Sequence, residues 1–190
     1  MIYMFLAPGF EEVEALAPLD LLRRAGLSVT TVAITEPAHE HAVTGSHSIT
    51  VLADMSAEAF ARYALSGQDS EPVEAVILPG GMPGTTNLDA SPVVDAALKL
   101  ACEQDAYLCA ICAAPLVLGK RGYLKGKRAT CYPGFESYLE GAMTGGKVIR
   151  DGKTITAAGM GVAQEFGLEI VSALVSPEKA GEIRKAIQSL

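Results

Sequence analysis

The chain has no long run of apolar residues and no excess of basic ones. Its apolar stretches are all shorter than the ~20 residues that a membrane helix needs. The 15 Lys and Arg against 22 Asp and Glu give a formal net charge of -7, which disfavours binding to nucleic acid or to an anionic membrane. We therefore predict that the protein binds neither nucleic acid nor membrane, and that its partners are small molecules or another protein.

We expect no secretion signal at the N-terminus, and cysteine is scarce. Residues 1–7 are apolar without a basic flank, and Pro8-Gly9 follows at once, so we predict a buried first strand and a cytoplasmic location. A domain of 190 residues buries roughly 70% of its unfolded surface and has little need of disulfides in that compartment. We expect one domain over residues 1–190, with four free thiols: Cys102, Cys109, Cys112 and Cys131.

Strand-type and helix-type segments alternate along the chain. The pattern predicts strands at 2–7, 27–33, 73–78 and 106–111, and helices at 11–25, 57–65, 91–103, 113–120 and around 163–174. This alternation is typical of an α/β fold with helices on both faces of a mostly parallel sheet. Two hairpins, at 42–52 and at 147–157 around Asp151-Gly152, are predicted as antiparallel additions to that sheet.

Cys112 lies where an apolar strand meets a helix that begins with Ala113-Ala114-Pro115. We predict a sharp strand-to-helix turn, a nucleophile elbow, at the edge of the sheet where α/β proteins bind ligands. The free N–H groups of the helix favour an anion, so we expect the pKa of the thiol to lie below its usual value. An isolated Cys in apolar surroundings is also commonly just a small buried hydrophobe, and the residue alone is compatible with both interpretations.

Two further loops follow strands at the same edge. Glu14 lies in the first turns of the first helix on its buried side, and burial beside Cys112 would raise its pKa and keep it protonated. Gly80-Gly81 allows a backbone N–H to approach developing negative charge, although a glycine pair after a strand can also be a simple turn. We expect Glu11 and Glu12 only to complement the helix N-terminus.

The remaining polar groups favour structural interpretations. Asp20 and Arg24 are four residues apart on a helix and can pair at a buried interface. His39 and His41 form a His-x-His pattern in a polar loop beside Glu36 and Glu40, and we predict neither a metal site nor a cofactor. We expect a basic cluster to form a solvated surface: Lys120, Arg121, Lys125, Lys127 and Arg128.

The motifs in their order and spacing resemble the ThiJ/PfpI superfamily and, within it, the branch of the parkinsonism-associated protein deglycase. They are Gly9-Phe10-Glu11-Glu12-Val13-Glu14, Leu78-Pro79-Gly80-Gly81, Ala110-Ile111-Cys112-Ala113-Ala114-Pro115 and Gly159-Met160-Gly161. The resemblance implies a flavodoxin-like three-layer sandwich and a homodimer. It also implies that Cys112 is the nucleophile and oxidation site, with the protonated Glu14 beside it and the N–H groups of Gly81 and Ala113 as oxyanion donors.

The resemblance extends to a kink at Pro18 and to Asp20 and Arg24 near the dimer interface. The sequence also departs from the family pattern. Ala113 follows the nucleophile where the PfpI protease-like branch has His, so we do not expect a peptidase. Tyr132 and His47 stand where the deglycase branch often has His and Arg. With Gly80 and the neighbouring thiol of Cys131, they are further candidates for lining the site.

The resemblance implies a cysteine-dependent, cofactor-free enzyme that acts on reactive carbonyls. Cys112 would add to the aldehyde of an α-oxoaldehyde such as methylglyoxal, which becomes lactate, or to a glycated thiol or amine. These are the activities of a glutathione-independent glyoxalase and of a protein deglycase. The alternative is a redox-sensing, stress-response chaperone in which Cys112 is oxidised to a sulfinate without turnover.

Overall fold

One seven-stranded sheet organises the protein, and a computed structural model describes residues 1–35, 41–64 and 71–189 of it. The strands are β1 (Ile2–Leu6), β2 (Val29–Ala33), β3 (Ala42–Thr44), β4 (Thr50–Leu52), β5 (Met55–Ser56), β6 (Ala75–Leu78), β7 (Tyr107–Ile111), β8 (Arg128–Ala129), β9 (Met143–Thr144), β10 (Val148–Asp151) and β11 (Thr154–Ala157). The helices are α1 (Glu12–Arg24), α2 (Ala57–Ala64), α3 (Gly84–Asp89), α4 (Pro92–Glu103), α5 (Pro115–Lys120), α6 (Ala163–Leu174) and α7 (Pro177–Ala186).

The sheet has the strand order β10-β11-β7-β6-β1-β2-β5. All neighbouring strands in it run parallel except β10, which pairs antiparallel with β11 through the predicted Asp151-Gly152 hairpin. Met4 of β1 is in register with Thr31 on one side and Ile77 on the other. This order brings the carboxyl ends of β1, β6 and β7 together, and the segments that follow them carry Glu14 in α1, Gly80 in a loop and Cys112 at a turn.

A hydrophobic core lies on each face of the sheet, because alternate strand residues point to opposite sides. Tyr3 and Phe5 of β1 belong to one core, in which both rings meet Phe60 edge to face. Ile2 and Met4 belong to the other, which the buried sides of α1, α6 and α7 complete. The arrangement confirms the predicted α/β three-layer sandwich.

Some short elements depart from the sequence-based prediction. The 42–52 hairpin exists, but β3 and β4 form a separate two-stranded sheet and do not extend the main one. The two-residue strands β5, β8 and β9 and the six-residue helix α3 were not predicted, because segments of two to six residues carry too little periodicity. No helix in the described ranges is long and apolar enough to cross a membrane.

α1 runs through Pro18 as a single helix, and Pro18 packs against α6. A Cβ on Gly167 of α6 would lie 2.8 Å from the Pro18 Cα, so the two helices approach each other more closely there than a larger residue would allow. This contact holds α1, and with it the acidic residues at its N-terminus, against the sheet.

Candidate active site

Cys112 lies at the tight turn between β7 and α5. Its φ is +64°, a left-handed conformation that non-glycine residues rarely adopt. Its backbone N–H donates to Ala157 O at 2.8 Å, and its C=O accepts from Tyr132 N–H at 2.7 Å. The neighbouring backbone therefore holds the turn on both sides, and the predicted elbow is present.

The Gly80-Gly81 loop passes directly over this turn. A Cβ on Gly80 would lie 2.6 Å from Glu14 Oε2 and 2.7 Å from the Cys112 Cβ, so only glycine fits without displacing the site. Gly81 has a φ of +89°, and its N–H and that of Ala113 hydrogen-bond the Cys112 sulfur. These are the two N–H groups that the sequence analysis selected as oxyanion donors.

Glu14 points from α1 into the same place. The residue is 1% exposed, and its Oε2 accepts from Gly80 N–H at 3.0 Å. Burial raises the pKa of Glu14 to about 7, and the nearby negative charge of Glu11 raises it further, against hydrogen bonds from Cys112, Gly80 and the Met160 backbone. A carboxyl with this pKa can hold or release a proton near neutral pH.

The expected fall in the pKa of the Cys112 thiol is wrong. Burial raises the pKa, and the ionised Glu14 carboxylate raises it further, by more than the N–H groups of Ala113 and Gly81 lower it. Desolvation and like charge thus outweigh the donors of the turn. Glu14 and Cys112 consequently share one proton, and a thiolate forms when that proton is on Glu14.

Glu12 was expected only to complement the helix N-terminus, but it also binds the turn between β3 and β4. It is 3% exposed, and its Oε1 accepts from the backbone N–H of His47 at 2.8 Å, in the turn between β3 and β4. A Cβ on Gly45 would lie 2.4 Å from that oxygen. Burial opposes ionisation, but hydrogen bonds from the His47 side chain and backbone and from Ile49 lower the pKa of Glu12 to about 2. Glu12 is thus an ionised link between α1 and the hairpin.

His47 is next to this link. Its Nδ1 lies 2.9 Å from Glu12 Oε2 and 3.9 Å from Glu11 Oε1, and the Glu12 carboxylate raises the pKa of His47. These three residues offer ligand atoms within 4.8 Å of one another, the kind of donor set that can hold a metal ion. A metal ion would first have to displace the His47–Glu12 hydrogen bond.

Tyr132 and Cys131 follow β8. Tyr132 is held by its N–H bond to Cys112, and its ring carbon lies 3.4 Å from where a Cβ on Gly159 would be, so it borders the site. Cys131 is buried, and burial raises the pKa of its thiol to about 11. Its side chain faces a cavity that it shares with Thr130, Pro133, Glu136, Thr144, Gly145, Gly146 and Ala158.

The other candidates have structural partners. Arg24 Nε pairs with Asp20 Oδ2 at 2.6 Å, and both side chains are exposed in the single chain. His41 Nδ1 lies 2.9 Å from Ala53 O. His39, Glu36 and Glu40 lie outside the described residues.

All four cysteines are free thiols, as predicted. Lys120, Lys125 and Arg128 of the basic cluster are exposed as expected, but Arg121 is less solvated than expected. Arg121 is mostly buried and pairs with Asp89 at 2.6 Å and with Asp95, which ties α5 to α3 and α4.

Comparisons with known proteins identify the family of the chain. The sequence profile described as the DJ-1/PfpI family matches residues 1–173. Protein dj-1beta of Drosophila melanogaster is 35% identical over 97% of this chain and 94% of its own length. Its crystal structure superposes with a TM-score of 0.87, covering 100% of this chain and 97% of that one at 34% identity.

Two further relatives carry descriptive names. The chain is 32% identical to the glutathione-independent glyoxalase DJR-1.2 of Caenorhabditis elegans, over 93% of this chain and 89% of that protein. The structure of Toxoplasma gondii DJ-1, described as oxidized, has a TM-score of 0.88 at 31% identity, covering 98% of this chain and 97% of that one. A profile match over most of the chain and relatives above 30% identity along nearly its full length lead to one conclusion: the chain belongs to the DJ-1/PfpI family.

Proposed function

We propose that the protein is a cysteine-dependent enzyme that converts α-oxoaldehydes to hydroxy acids without a cofactor, as a glutathione-independent glyoxalase does. One observation carries the proposal: the Cys112 sulfur receives two backbone N–H groups and lies against a buried carboxyl, Glu14, whose pKa is raised to about 7. This arrangement provides a nucleophile, an anion site and a proton carrier at one point. The name of the Caenorhabditis elegans relative supports the same activity.

The first chemical step is addition. With the shared proton on Glu14, the Cys112 thiolate attacks the aldehyde carbon, and the electrons of the C=O bond move to the oxygen. The N–H groups of Gly81 and Ala113 hold that oxyanion, and Glu14 gives it a proton to complete the hemithioacetal. Glu14 is then a carboxylate.

The second step moves a proton between two carbons. The Glu14 carboxylate accepts the proton of the former aldehyde carbon, the electron pair of that C–H bond forms a C=C bond, and the electrons of the second C=O bond move to its oxygen to give an enediolate. The hydroxyl proton of the first carbon passes to that oxygen as the first C=O bond re-forms, and Glu14 returns its proton to the second carbon, which gives a 2-hydroxyacyl thioester on Cys112. Water hydrolyses the thioester, releases the hydroxy acid and restores the thiol, so methylglyoxal plus one water becomes lactate plus one proton. The same addition step would serve a deglycase acting on glycated thiols or amines.

A second candidate is a redox sensor. Two equivalents of peroxide would each transfer one oxygen atom to the Cys112 sulfur and leave as water, and the sulfinate would occupy the two N–H groups. The partial exposure of Cys112 and the description of the Toxoplasma gondii relative as oxidized favour this possibility. The raised pKa of the Cys112 thiol does not separate the two candidates, because the thiolate is the species that reacts with peroxide and also the species that adds to an aldehyde.

Lactate formation from methylglyoxal without glutathione tests the proposal. Cys112→Ala should lower kcat/KM at least 10³-fold, because it removes the thiol that adds to the aldehyde. Cys102→Ala is the matched control, since Cys102 is an exposed thiol on α4, and its activity should equal that of the wild type. If wild type and Cys112→Ala form lactate equally slowly while peroxide still adds 32 Da to Cys112 in the wild type, the redox sensor replaces the enzyme.

A cytoplasmic location and a homodimer remain predictions. The exposed apolar side chains Val13 and Leu16 of α1, close to the Asp20–Arg24 pair, support the dimer, because an apolar helix face at the surface suits a second copy. Sedimentation of the purified protein measures this directly.

A further inference from the structure

Three large apolar side chains belong to residues that adjoin the reactive groups of the candidate site. Met82, Tyr132 and Met160 are each about half exposed. Each is joined by backbone to the reactive groups: Met82 follows Gly81, Tyr132 donates its N–H to Cys112 O, and the Met160 backbone hydrogen-bonds Glu14. We name these three side chains the apolar rim.

The backbone that builds the site also positions the apolar rim. The Tyr132 ring packs over Gly159, which directly precedes Met160, so these two members are close neighbours. The Met82 sulfur accepts a long hydrogen bond of 3.9 Å from Thr86 Oγ1 at the start of α3. Single exposed apolar residues are ordinary, but a group of them beside one candidate site is typical of ligand contact.

The charges that act on the reactive pair are negative. Glu11 acts on Glu14, and Glu14 acts on Cys112. An anionic substituent on the substrate would therefore meet like charge in a poorly solvated place, whereas a neutral one would not.

The proposed chemistry fixes how a substrate enters. With its aldehyde carbon at the Cys112 sulfur and its oxygen on the N–H groups of Gly81 and Ala113, one side of the substrate is closed by the Gly80-Gly81 backbone. The substituent on the second carbonyl then extends away from that backbone, toward the apolar rim. The geometry points to the apolar rim as the specificity determinant, selecting α-oxoaldehydes with a neutral, apolar and preferably aromatic substituent; this inference rests on the proposed function.

A series of four aldehydes tests the inference. Glyoxal, methylglyoxal and phenylglyoxal place hydrogen, methyl and phenyl at the same position, and glyoxylate places an ionised oxygen there. We expect kcat/KM to rise from glyoxal to phenylglyoxal and to be lowest for glyoxylate. Tyr132→Ala and Met160→Ala should each lower the phenylglyoxal-to-methylglyoxal ratio about tenfold, the scale that apolar contact gives in an enzyme pocket.

Two controls separate ring contact from general damage. Tyr132→Phe keeps the ring and should keep the ratio, and Met143→Ala removes an exposed methionine on β9 and should leave both activities unchanged. Unaltered ratios in Tyr132→Ala and Met160→Ala, or a wild type that prefers glyoxylate, would overturn the inference.

A second readout does not require turnover. Each aldehyde slows the alkylation of Cys112 by iodoacetamide in proportion to its occupancy, which gives a dissociation constant for the wild type and each variant. If the wild type consumes none of the aldehydes, the proposed function fails, and these constants still decide the inference. Tighter binding of phenylglyoxal that is lost in Tyr132→Ala supports the apolar rim, and equal binding of all four aldehydes contradicts it.

Discussion

Glu12 and Glu14 lie in the first turn of the same helix and are both almost inaccessible to solvent, yet their pKa values shift in opposite directions. The residues are 3% and 1% exposed. The pKa of Glu12 falls to about 2, whereas that of Glu14 rises to about 7. Burial favours the neutral acid in both cases and more strongly at Glu14, and the hydrogen-bond partners account for the rest of the difference. Hydrogen bonds outweigh desolvation at Glu12 and do not at Glu14.

Helix geometry explains how two acids only two residues apart reach such different partners. Residues two apart on an α-helix point about 200° away from each other. Glu12 therefore faces the β3–β4 turn, where His47 and Ile49 stabilise its charge. Glu14 faces the Cys112 turn, where its charge is opposed by Glu11 and competes with the thiol for a proton. One carboxylate holds the hairpin in place, and the other is available for chemistry.

Neutralising each acid in turn should give the largest contrast. Glu14→Gln keeps the shape and the acceptor for Gly80 N–H but cannot carry a proton, so we expect kcat/KM for methylglyoxal to fall 10²- to 10⁴-fold. Glu12→Gln should keep kcat/KM within about threefold. Lactate assays at pH 7.5 measure both, with circular dichroism to show that each variant is folded. Equal losses in the two variants would mean that Glu14 acts only through the structure.

The pH dependence of unfolding should separate the two acids in sign. The raised pKa of Glu14 contributes stability that is fully present below pH 4.5 and is lost as the pH rises through about 7, by up to about 3 kcal/mol. The lowered pKa of Glu12 contributes stability above pH 4.5 that is lost as the pH falls toward 2. Because its partner His47 is exposed and screened, we expect about 1–2 kcal/mol there.

Urea unfolding of the wild type and of each Gln variant measures these contributions as differences. Between pH 5 and pH 8 the wild type should lose more stability than Glu14→Gln. Between pH 6 and pH 3 it should lose more than Glu12→Gln. If the free energy of unfolding of the wild type and the variant changes equally with pH in either range, the shifted pKa of that acid does not contribute to stability.

The features of the site and fold that depend on neighbouring residues could be predicted from the sequence. The Cys112 turn, the Gly80-Gly81 loop and the Asp151-Gly152 hairpin each depend on neighbours in the chain, and the structure contains all three. The alternation of strands and helices was sufficient for the fold class. Very short elements such as β8 and β9 pair only because the sheet brings them together, so no local pattern could indicate them.

The interactions between segments that are distant in the sequence could not be predicted. Glu12 and Glu14 are alike in sequence, and their partners His47 and Cys112 are supplied by distant segments. The balance between the N–H groups of the turn and desolvation at Cys112 also depends on how tightly the glycine loop closes over it. The donors of the turn can be recognised from the sequence but the desolvation cannot, and the predicted direction of the thiol pKa is therefore wrong.

Glu11 provides the smallest and most specific test of the contrast, because its charge acts on Glu14 while its side chain also caps α1. Glu11 Oε2 accepts from Glu14 N–H at 2.7 Å, and the amide oxygen of Glu11→Gln can accept the same bond. Loss of the negative charge should then lower the pKa of Glu14. Activity requires the singly protonated Glu14–Cys112 pair, so in the wild type kcat/KM should rise with pH through about 7.

In Glu11→Gln the midpoint of that rise should move to lower pH, by less than about one unit, because a single screened charge at this distance is worth about 1 kcal/mol or less. A pH profile of kcat/KM from pH 5 to 9 measures the shift, and Glu58→Gln, which removes a charge at the start of α2, should not produce it. A shift to higher pH would contradict the electrostatic role, since it requires that Glu11 had stabilised the ionised form of Glu14. A fall in kcat/KM with an unmoved midpoint would assign Glu11 to helix capping alone.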